Sequence, residues 1–229
     1  HNMPLPVAGL MLIIVGFFGF LMACVIVPGE AWSWFGDKPA TIYGTPITLS
    51  SLAFNILMAV AGGIIGSWVL TRDPFWMMSG ALAGIISTAS GLDIYFPGIT
   101  FIIAFSAGII LKPCANWLEN RGIDDAVGAV TVHGTIGLYG VVMLGIFGAG
   151  FPALQGAAGD APTISLIGQI IGAAVFFLLG FVPGYVVSYI LKMMGMLRIP
   201  AGAEIAGMDE VKVPAHGYPE GIPAPGVNL

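Results

Sequence analysis

Residues 164–194 read ISLIGQIIGAAVFFLLGFVPGYVVSYILKMM, a stretch of 31 residues whose only charged side chain is Lys192, close to its end. A helix needs about 20 mostly apolar residues to cross the hydrocarbon core of a bilayer. As a helix this stretch would be about 46 Å long, so it must tilt, kink or project beyond the bilayer. Pro183 is the expected kink. The stretch predicts a membrane-spanning helix.

The composition of the whole chain agrees with a membrane protein. Of its 229 residues, 57% are hydrophobic and only 8% are charged, and the mean hydropathy is +0.96. Soluble domains carry about 25% charged residues, so this chain cannot cover a water-facing surface. The formal net charge of −5 leaves no basic face for nucleic acid. Cys24 and Cys114 are too few for a disulfide framework or a four-cysteine zinc site, and we expect no metal and no cofactor.

Six apolar stretches are long enough, or nearly so, to cross the bilayer, and none contains Asp, Glu or Arg. The third and fourth are short, which leaves a hairpin dipping into the membrane as an alternative; Asp93 and Pro97 between them favour two helices. We therefore predict an all-α integral membrane protein with six transmembrane helices in a domain of residues 1–199. A cytoplasmic tail of residues 200–229 follows, either an extended arm or a partly disordered terminus. The expected spans are about 4–27, 46–70, 75–91, 98–111, 126–148 and 164–194.

The Lys and Arg residues predict the orientation of the chain. With six spans, both chain ends share one side of the membrane with the loops after the second and fourth spans. That side holds six basic residues and the other holds Lys38 alone. The positive-inside rule therefore places both ends in the cytoplasm of a multi-pass protein in the cell (inner) membrane. The six residues are Arg72, Lys112, Arg121, Lys192, Arg198 and Lys212.

His133 is the one basic or acidic side chain well inside an expected span, eight residues beyond Asp125. An imidazole in that position usually faces a bundle interior or a water-filled path, because it costs free energy unless it is paired. It can gain and lose a proton near neutral pH, so a proton relay or the polar wall of a pore is one interpretation. A structural histidine bonded to a neighbouring helix is the other.

Asp124 and Asp125 stand at the start of the fifth span, where carboxylates cap backbone N–H groups and complement the helix dipole. No second acid or metal-ligand cluster supports a catalytic pair, so capping is favoured. The sequence also contains no phosphate-binding glycine loop, nucleophile elbow or HExxH motif. We expect no enzyme.

An aromatic run, GFFGF at 16–20, lies in the middle of the first span. Phe rings in a membrane helix normally face lipid or pack in the core, although a ring can also plug a narrow pore or bind a cation through its face. Cys24, one turn further on, is most simply a small packing residue.

Small residues recur at four-residue spacing in several spans. Such stripes let helix backbones approach closely, and most of them serve packing alone, while a few line a narrow pore. The stripes pair Gly62 with Gly66, Gly80 with Gly84, Gly168 with Gly172 and Gly180 with Gly184.

These residues resemble the ammonium transporter (Amt/Mep/Rh) family over nearly the whole chain. The strongest match is GIDDAVGAVTVHG at 122–134, which is similar to the family's DDP…VHG stretch. Others are HNMP at 1–4 for HNLP, GFFGF at 16–20 for GWFGF, and SGALAG at 79–84 for SGALAGL. The tail segments LRIP at 197–200, GMD at 207–209 and HG at 216–217 are similar to the family's LRVP, GLD and HGE.

The resemblance implies the sixth to eleventh helices of an Amt-like fold: its second inverted repeat and a final long helix. It implies a hydrophobic pore for ammonium or ammonia, with methylammonium as a further substrate. His133 would be the second of two pore histidines, Phe20 a gate at the pore entrance, and Phe17 would occupy the place of the family's tryptophan. Cys24 falls where the family has a serine at its outer ammonium site.

The resemblance also implies partners. They are the lipid bilayer, the N-terminal half of the same pore, two further copies in a homotrimer, and a cytoplasmic nitrogen-signalling regulator at the tail. The start at His1-Asn2 leaves open a trimmed N-terminus or the second part of something longer.

A non-transporting ammonium sensor or a structural subunit of a larger membrane complex is the alternative function. Where the family reads GFNAGS, this chain reads GFLMAC at 19–24, so Leu21 and Cys24 replace Asn and Ser. A thiol is a poorer hydrogen-bond partner for ammonium than a hydroxyl is. Residues 87–89 also read STA where the family has TPA in its eighth helix.

Overall fold

A computed structural model describes residues 4–24, 43, 47–125, 127–152 and 162–206. Within these ranges the protein is helical, with one isolated β-bridge between Pro152 and Thr163 and no strand. The predicted all-α membrane architecture is confirmed. The α-helices are α1 Pro4–Ala23, α2 Leu49–Thr71, α3 Pro74–Thr88, α4 Pro97–Glu119, α5 Ile136–Phe147, α6 Leu166–Met193 and α7 Ala201–Ala206. A 3₁₀ turn, Ala89–Gly91, follows α3, and a π-helix, Val130–Thr135, precedes α5.

Five helical segments among the described residues are long and apolar enough to cross a membrane: α1, α2, α4, α6, and the π-helix continued by α5. The third of the six expected spans corresponds to α3, which has 15 residues and is followed by the 3₁₀ turn to Gly91. In contrast, α4 continues to Glu119, well past the expected end of the span at Leu111. The helix continues through Lys112 and Pro113. A proline is tolerated in a membrane helix because neighbouring helices or side chains can satisfy the backbone groups that it leaves without a partner.

Local sequence explains where the helices begin. Thr48 and Ser51 form a reciprocal capping box at the start of α2, with bonds of 2.9 and 3.1 Å between each side chain and the other backbone N–H. At the next connection Arg72 adopts a left-handed conformation (φ 52°) and ends α2. Asp73 then caps α3 by accepting the Phe75 N–H at 2.8 Å, and Pro74 occupies the first helical position.

The described residues belong to two compact units, and the larger comprises Gly9–Val175. Its centre is made by α2, α3 and α4, whose backbones meet at glycines. A Cβ on Gly63 would collide with the Gly80 carbonyl, and one on Gly84 would collide with the Ala59 carbonyl. A Cβ on Gly66 would likewise collide with the backbone of Phe105. The stripes in α2 and α3 therefore serve close helix packing.

The smaller unit comprises His1–Ala8 and Phe176–Leu229, of which 4–8 and 176–206 are described. Within it, α6 continues past Pro183, the expected kink, and Gly180 and Gly184 have open space where a Cβ would lie. Four rings stack at four-residue spacing along α6, with centroids 5.5, 5.8 and 6.3 Å apart: Phe177, Phe181, Tyr185 and Tyr189. Arg198 and Glu204 form an ion pair around the start of α7. Residues 207–229 of the predicted tail lie outside the described residues.

Candidate functional site

The π-helix carries His133, whose side chain is exposed in this chain. The segment reads VTVHGT, and at its end the Ile136 N–H donates to the Thr131 carbonyl, five residues back. Turns of this kind are rare, and they occur frequently at functional sites. His133 therefore stands on an unusual piece of backbone, directly before the regular helix α5.

The Asp125 carboxylate holds the first turn of this segment. One oxygen, Oδ1, accepts the Val130 N–H at 2.9 Å, and the other, Oδ2, accepts the N–H and the hydroxyl of Thr131 at 2.8 and 2.7 Å. Gly128, with φ 72°, makes the turn that brings the carboxylate back onto the helix start. Asp125 thus satisfies donors that would otherwise be unpaired at a helix N-terminus. Its neighbour Asp124 is exposed.

These hydrogen bonds set the charge state of Asp125. Partial burial acts to raise the pKa of the carboxyl, but the bonds from Val130, Thr131 and the Ala129 backbone outweigh it and hold the pKa below its usual value. The folded protein therefore stabilises the ionised form.

The predicted aromatic residues divide between core and surface. Phe17 is half-buried against a cluster that includes Leu21, Leu52 and Ile56. Phe20 is 62% exposed and meets the edge of the Phe17 ring, with centroids 6.2 Å apart. The structure thus keeps these two rings in contact on α1, while His133 lies on a separate element.

A cavity of about 210 Å³ opens at the end of α1, where Cys24 is exposed in the last turn. The cavity brings Cys24 together with Ser90 and Asp93 from the connection between α3 and α4, and leucine side chains complete its wall. Our sequence reasoning used Asp93 only to separate two spans. The sequence could have pointed to Asp93, because it is an acidic residue on the same expected side of the membrane as Cys24. The lining residues are Leu21, Cys24, Leu52, Ala89, Ser90, Leu92 and Asp93.

Asn55 of α2 holds the connection between α3 and α4 in place through its buried side chain. Its side chain is 2% exposed, and Nδ2 donates to the Leu92 and Tyr95 carbonyls at 2.7 and 2.9 Å. The two bonds bracket Asp93 in the sequence, so a buried amide fixes the backbone on both sides of it. Sequence reasoning missed Asn55, although an amide within an apolar span is the signal that could have found it.

Three basic side chains lie over tryptophan rings at the end of α2, at the start of α3 and at the end of α4. Arg72 lies 5.7 Å from the Trp68 ring, Lys112 lies 5.7 Å from Trp76, and Arg121 lies 3.6 Å from Trp117. Such pairs are typical of the interface between a bilayer and water. The basic members of the pairs are three of the six residues that predict the orientation.

Comparison with known proteins identifies the relatives of this chain. Residues 1–218 match the model of the Ammonium Transporter Family. The chain is 33% identical to ammonium transporter Amt2 of Methanocaldococcus jannaschii over 224 residues, which cover 96% of this chain and 47% of that protein. It is 33% identical to Amt1 of the same organism over 223 residues (96% and 51%). Identity to ammonium transporter Amt2 of Archaeoglobus fulgidus is 29% over 232 residues (96% and 46%). The chain spans about half the length of the curated relatives it matches.

Proposed function

The chain belongs to the ammonium transporter family, and we propose that it forms part of a channel or transporter that conducts ammonium nitrogen across the cell membrane. One observation carries the proposal: the family match runs through residues 1–218, so it includes every described membrane helix and the segment with His133. We assign the chain to the sixth to eleventh helices of the family fold, with another half completing the pore.

The proposed mechanism begins with capture of the cation at the outer mouth. Aromatic faces attract ammonium by cation–π contact, and Phe20, exposed near the end of α1, gates the entrance. An apolar pore disfavours a bare charge, so the ion loses a proton before it passes. His133 then guides the neutral molecule and accepts the relayed proton.

The exposure of His133 supports its role in the pore. A structural histidine would be expected to bond a neighbouring helix, but the described residues provide no hydrogen bond to this side chain. In a fold of two inverted repeats, the pore lies between the halves. We therefore propose that the N-terminal half of the pore covers this face of the π-helix.

The proposed orientation places both chain ends in the cytoplasm and Cys24 at the outer surface of the inner membrane. In this orientation Arg72, Lys112 and Arg121, each over a tryptophan ring, would all meet the cytoplasmic interface. We propose in addition a homotrimeric assembly and a nitrogen-signalling regulator that binds the tail. Native mass measurement of the purified assembly tests the trimer.

Ammonium-dependent current across vesicles that contain the complete assembly tests transport. We expect a current that saturates with ammonium and is reduced in His133→Ala. His216→Ala is the matched control, because it removes a histidine from the tail rather than from a membrane helix. An assembled, folded protein without current would overturn transport.

A sensor or structural subunit remains the second candidate because of Leu21. The family has an asparagine at this position, whereas Leu21 is buried in a hydrophobic cluster with residues of α2, α3 and α4. A polar group of the family's outer segment has thus become part of the core. Ammonium binding without current would favour the sensor.

A further inference from the structure

Tyr139 lies on α5, six residues beyond His133, and the proposed pore mechanism does not use it. We propose that Tyr139 is a positioning residue: through a hydrogen bond to Ser106 of α4 it fixes the rotation of α5, and thereby the direction of the His133 side chain. The transport test of this inference rests on the proposed function, whereas its structural tests do not require transport.

The hydrogen bond between Tyr139 and Ser106 has a defined direction. The two hydroxyl oxygens, Tyr139 Oη and Ser106 Oγ, lie 2.6 Å apart. Ser106 has a single hydroxyl hydrogen, and it donates this hydrogen to the Ile103 carbonyl at 2.8 Å. Tyr139 is therefore the donor and Ser106 the acceptor. Both side chains are half-buried, where a hydroxyl without a partner costs free energy.

The next residue, Gly140, contacts a different part of the protein. Its carbonyl accepts the hydroxyl of Ser90 at 3.3 Å, and a Cβ on Gly140 would lie 2.6 Å from the Ser87 carbonyl oxygen. Successive residues of α5 thus contact α4 on one side, and the end of α3 with its 3₁₀ turn on the other. Two contacts in different directions oppose rotation of a helix about its own axis.

The apolar contacts of this segment hold it against its neighbours but do not define its rotation. Val132 and Ile136 are buried in one cluster with the side chains of Ala83, Ala107 and Leu111. Apolar burial has no preferred direction, whereas a hydrogen bond requires a particular distance and angle. We therefore expect the Tyr139 hydroxyl to select one orientation of α5 among those that the apolar contacts permit.

The direction of the imidazole depends on that orientation. His133 is exposed and directly follows Val132, whose side chain is 3% exposed. A rotation that uncovers Val132 consequently turns His133 away from its present face. Asp125 holds the beginning of the π-helix, and Tyr139 lies less than two turns beyond His133. The imidazole is therefore held between two fixed points.

A double-mutant cycle tests the hydrogen bond. In the complete assembly, Tyr139→Phe and Ser106→Ala should each lower the melting temperature by about 2 °C. The double variant should lose less than the sum of the two single losses, because both substitutions remove the same bond. Tyr185→Phe is the matched control, since it removes a hydroxyl from an exposed ring of α6 and should cause no loss. Additive losses would overturn the proposal.

Labelling of introduced cysteines tests the rotation. In a background with Cys24→Ser and Cys114→Ala, we would compare the rates at which Val132→Cys and His133→Cys react with N-ethylmaleimide in the complete assembly. Tyr139→Phe should raise the rate at position 132 relative to position 133 about threefold, the change that corresponds to one hydrogen bond between membrane helices. Tyr185→Phe should leave the ratio of the two rates unchanged. The same ratio in Tyr139→Phe and in its parent would overturn the proposal.

The ratio of methylammonium current to ammonium current tests the consequence for the pore. Tyr139→Phe and Ser106→Ala should each raise this ratio about threefold, because an imidazole that is free to turn leaves more room for a methyl group. The ratio does not depend on the amount of folded protein. A tyrosine that serves packing alone would lower both currents together, and an unchanged ratio in these variants would overturn the proposal.

The labelling and current measurements together separate this inference from the proposed function. A changed labelling ratio in Tyr139→Phe, in an assembly whose parent carries no current, would contradict transport but support the positioning role. Normal ammonium current with unchanged labelling and current ratios in Tyr139→Phe would overturn the positioning role but leave transport intact.

Discussion

A single oxygen of Asp125 accepts both the backbone N–H and the hydroxyl of Thr131, at 2.8 and 2.7 Å. Thr131 is completely buried and lies two residues before His133. The carboxylate therefore anchors the turn that presents the imidazole, although the two side chains are separated along the helix. In this arrangement Asp125 is a positioning residue.

Replacing Asp125 by Ala should destabilise the protein by about 1–2 kcal/mol, the upper part of the range for loss of a helix cap. The reason is that three donors at the start of the π-helix lose their acceptor. Thermal unfolding in detergent measures the change. Asp124→Ala is the control, because Asp124 is exposed and should shift the melting temperature much less. Equal shifts in the two variants would contradict the assignment.

The lowered pKa of Asp125 predicts a dependence of stability on acid. A carboxyl whose pKa is lower in the folded protein than in the unfolded chain adds stability above the unfolded value of about 3.9. That contribution is lost as pH falls through the lower, folded pKa. Melting temperatures from pH 6 downward should thus fall more steeply in the parent than in Asp125→Asn. Parallel curves would show that Asp125 does not contribute to acid sensitivity.

Two substitutions of His133 distinguish a pore residue from a structural one. His133→Ala should lower ammonium current by about tenfold in the complete assembly, since the guided molecule loses a hydrogen-bond partner. Because the side chain is exposed in this chain, the melting temperature should change little. His133→Asp should let potassium pass, because a carboxylate can stabilise a cation there. Unchanged current and unchanged exclusion of potassium in both variants would make His133 structural.

Close packing of α2 against α3 predicts a strong effect of one methyl group. Gly63→Ala should cost about 1–3 kcal/mol, because its Cβ would overlap the Gly80 backbone, which cannot move without shifting a helix. Gly180→Ala is the matched control in a helix where the same methyl group meets open space. The measurement is thermal unfolding of the two variants in detergent. A larger loss for Gly180→Ala would be incompatible with the packing described.

Labelling of introduced cysteines tests the orientation. In a background without Cys24 and Cys114, Asp37→Cys and Asp160→Cys should react with an impermeant reagent from outside, and Glu119→Cys only from inside. Asp37 and Asp160 lie outside the described residues, so these two expectations come from the sequence alone. Glu119 ends α4, near the Arg121–Trp117 pair. The reverse pattern would contradict both the orientation and the assignment to the second half of the fold.

The helices were largely predictable because length and hydropathy govern which segments cross a bilayer. The end of α4 was not predictable, because Lys112 and Pro113 interrupt the apolar run of the sequence but do not interrupt the helix. The π-helix could not be predicted either, because its extra residue per turn does not change the amino-acid composition of the segment. The cavity depends on tertiary structure: Asp93 is close to Cys24 only after α1 packs against α2 and the α3–α4 connection. Such juxtapositions follow from packing, which one sequence does not reveal.

The π-helix changes which residues of the fifth membrane segment share a face, so one helical wheel does not describe the whole segment. An α-helix advances about 100° for each residue, so an added residue turns everything beyond it by about that angle. Helical conformation begins only at Ala129, so the offset separates the π-helix, which carries His133, from α5 after Thr135. A scan of substitutions along residues 130–147 should accordingly fit one wheel within Ile136–Phe147, and residues Val130–Thr135 should not fall on that wheel.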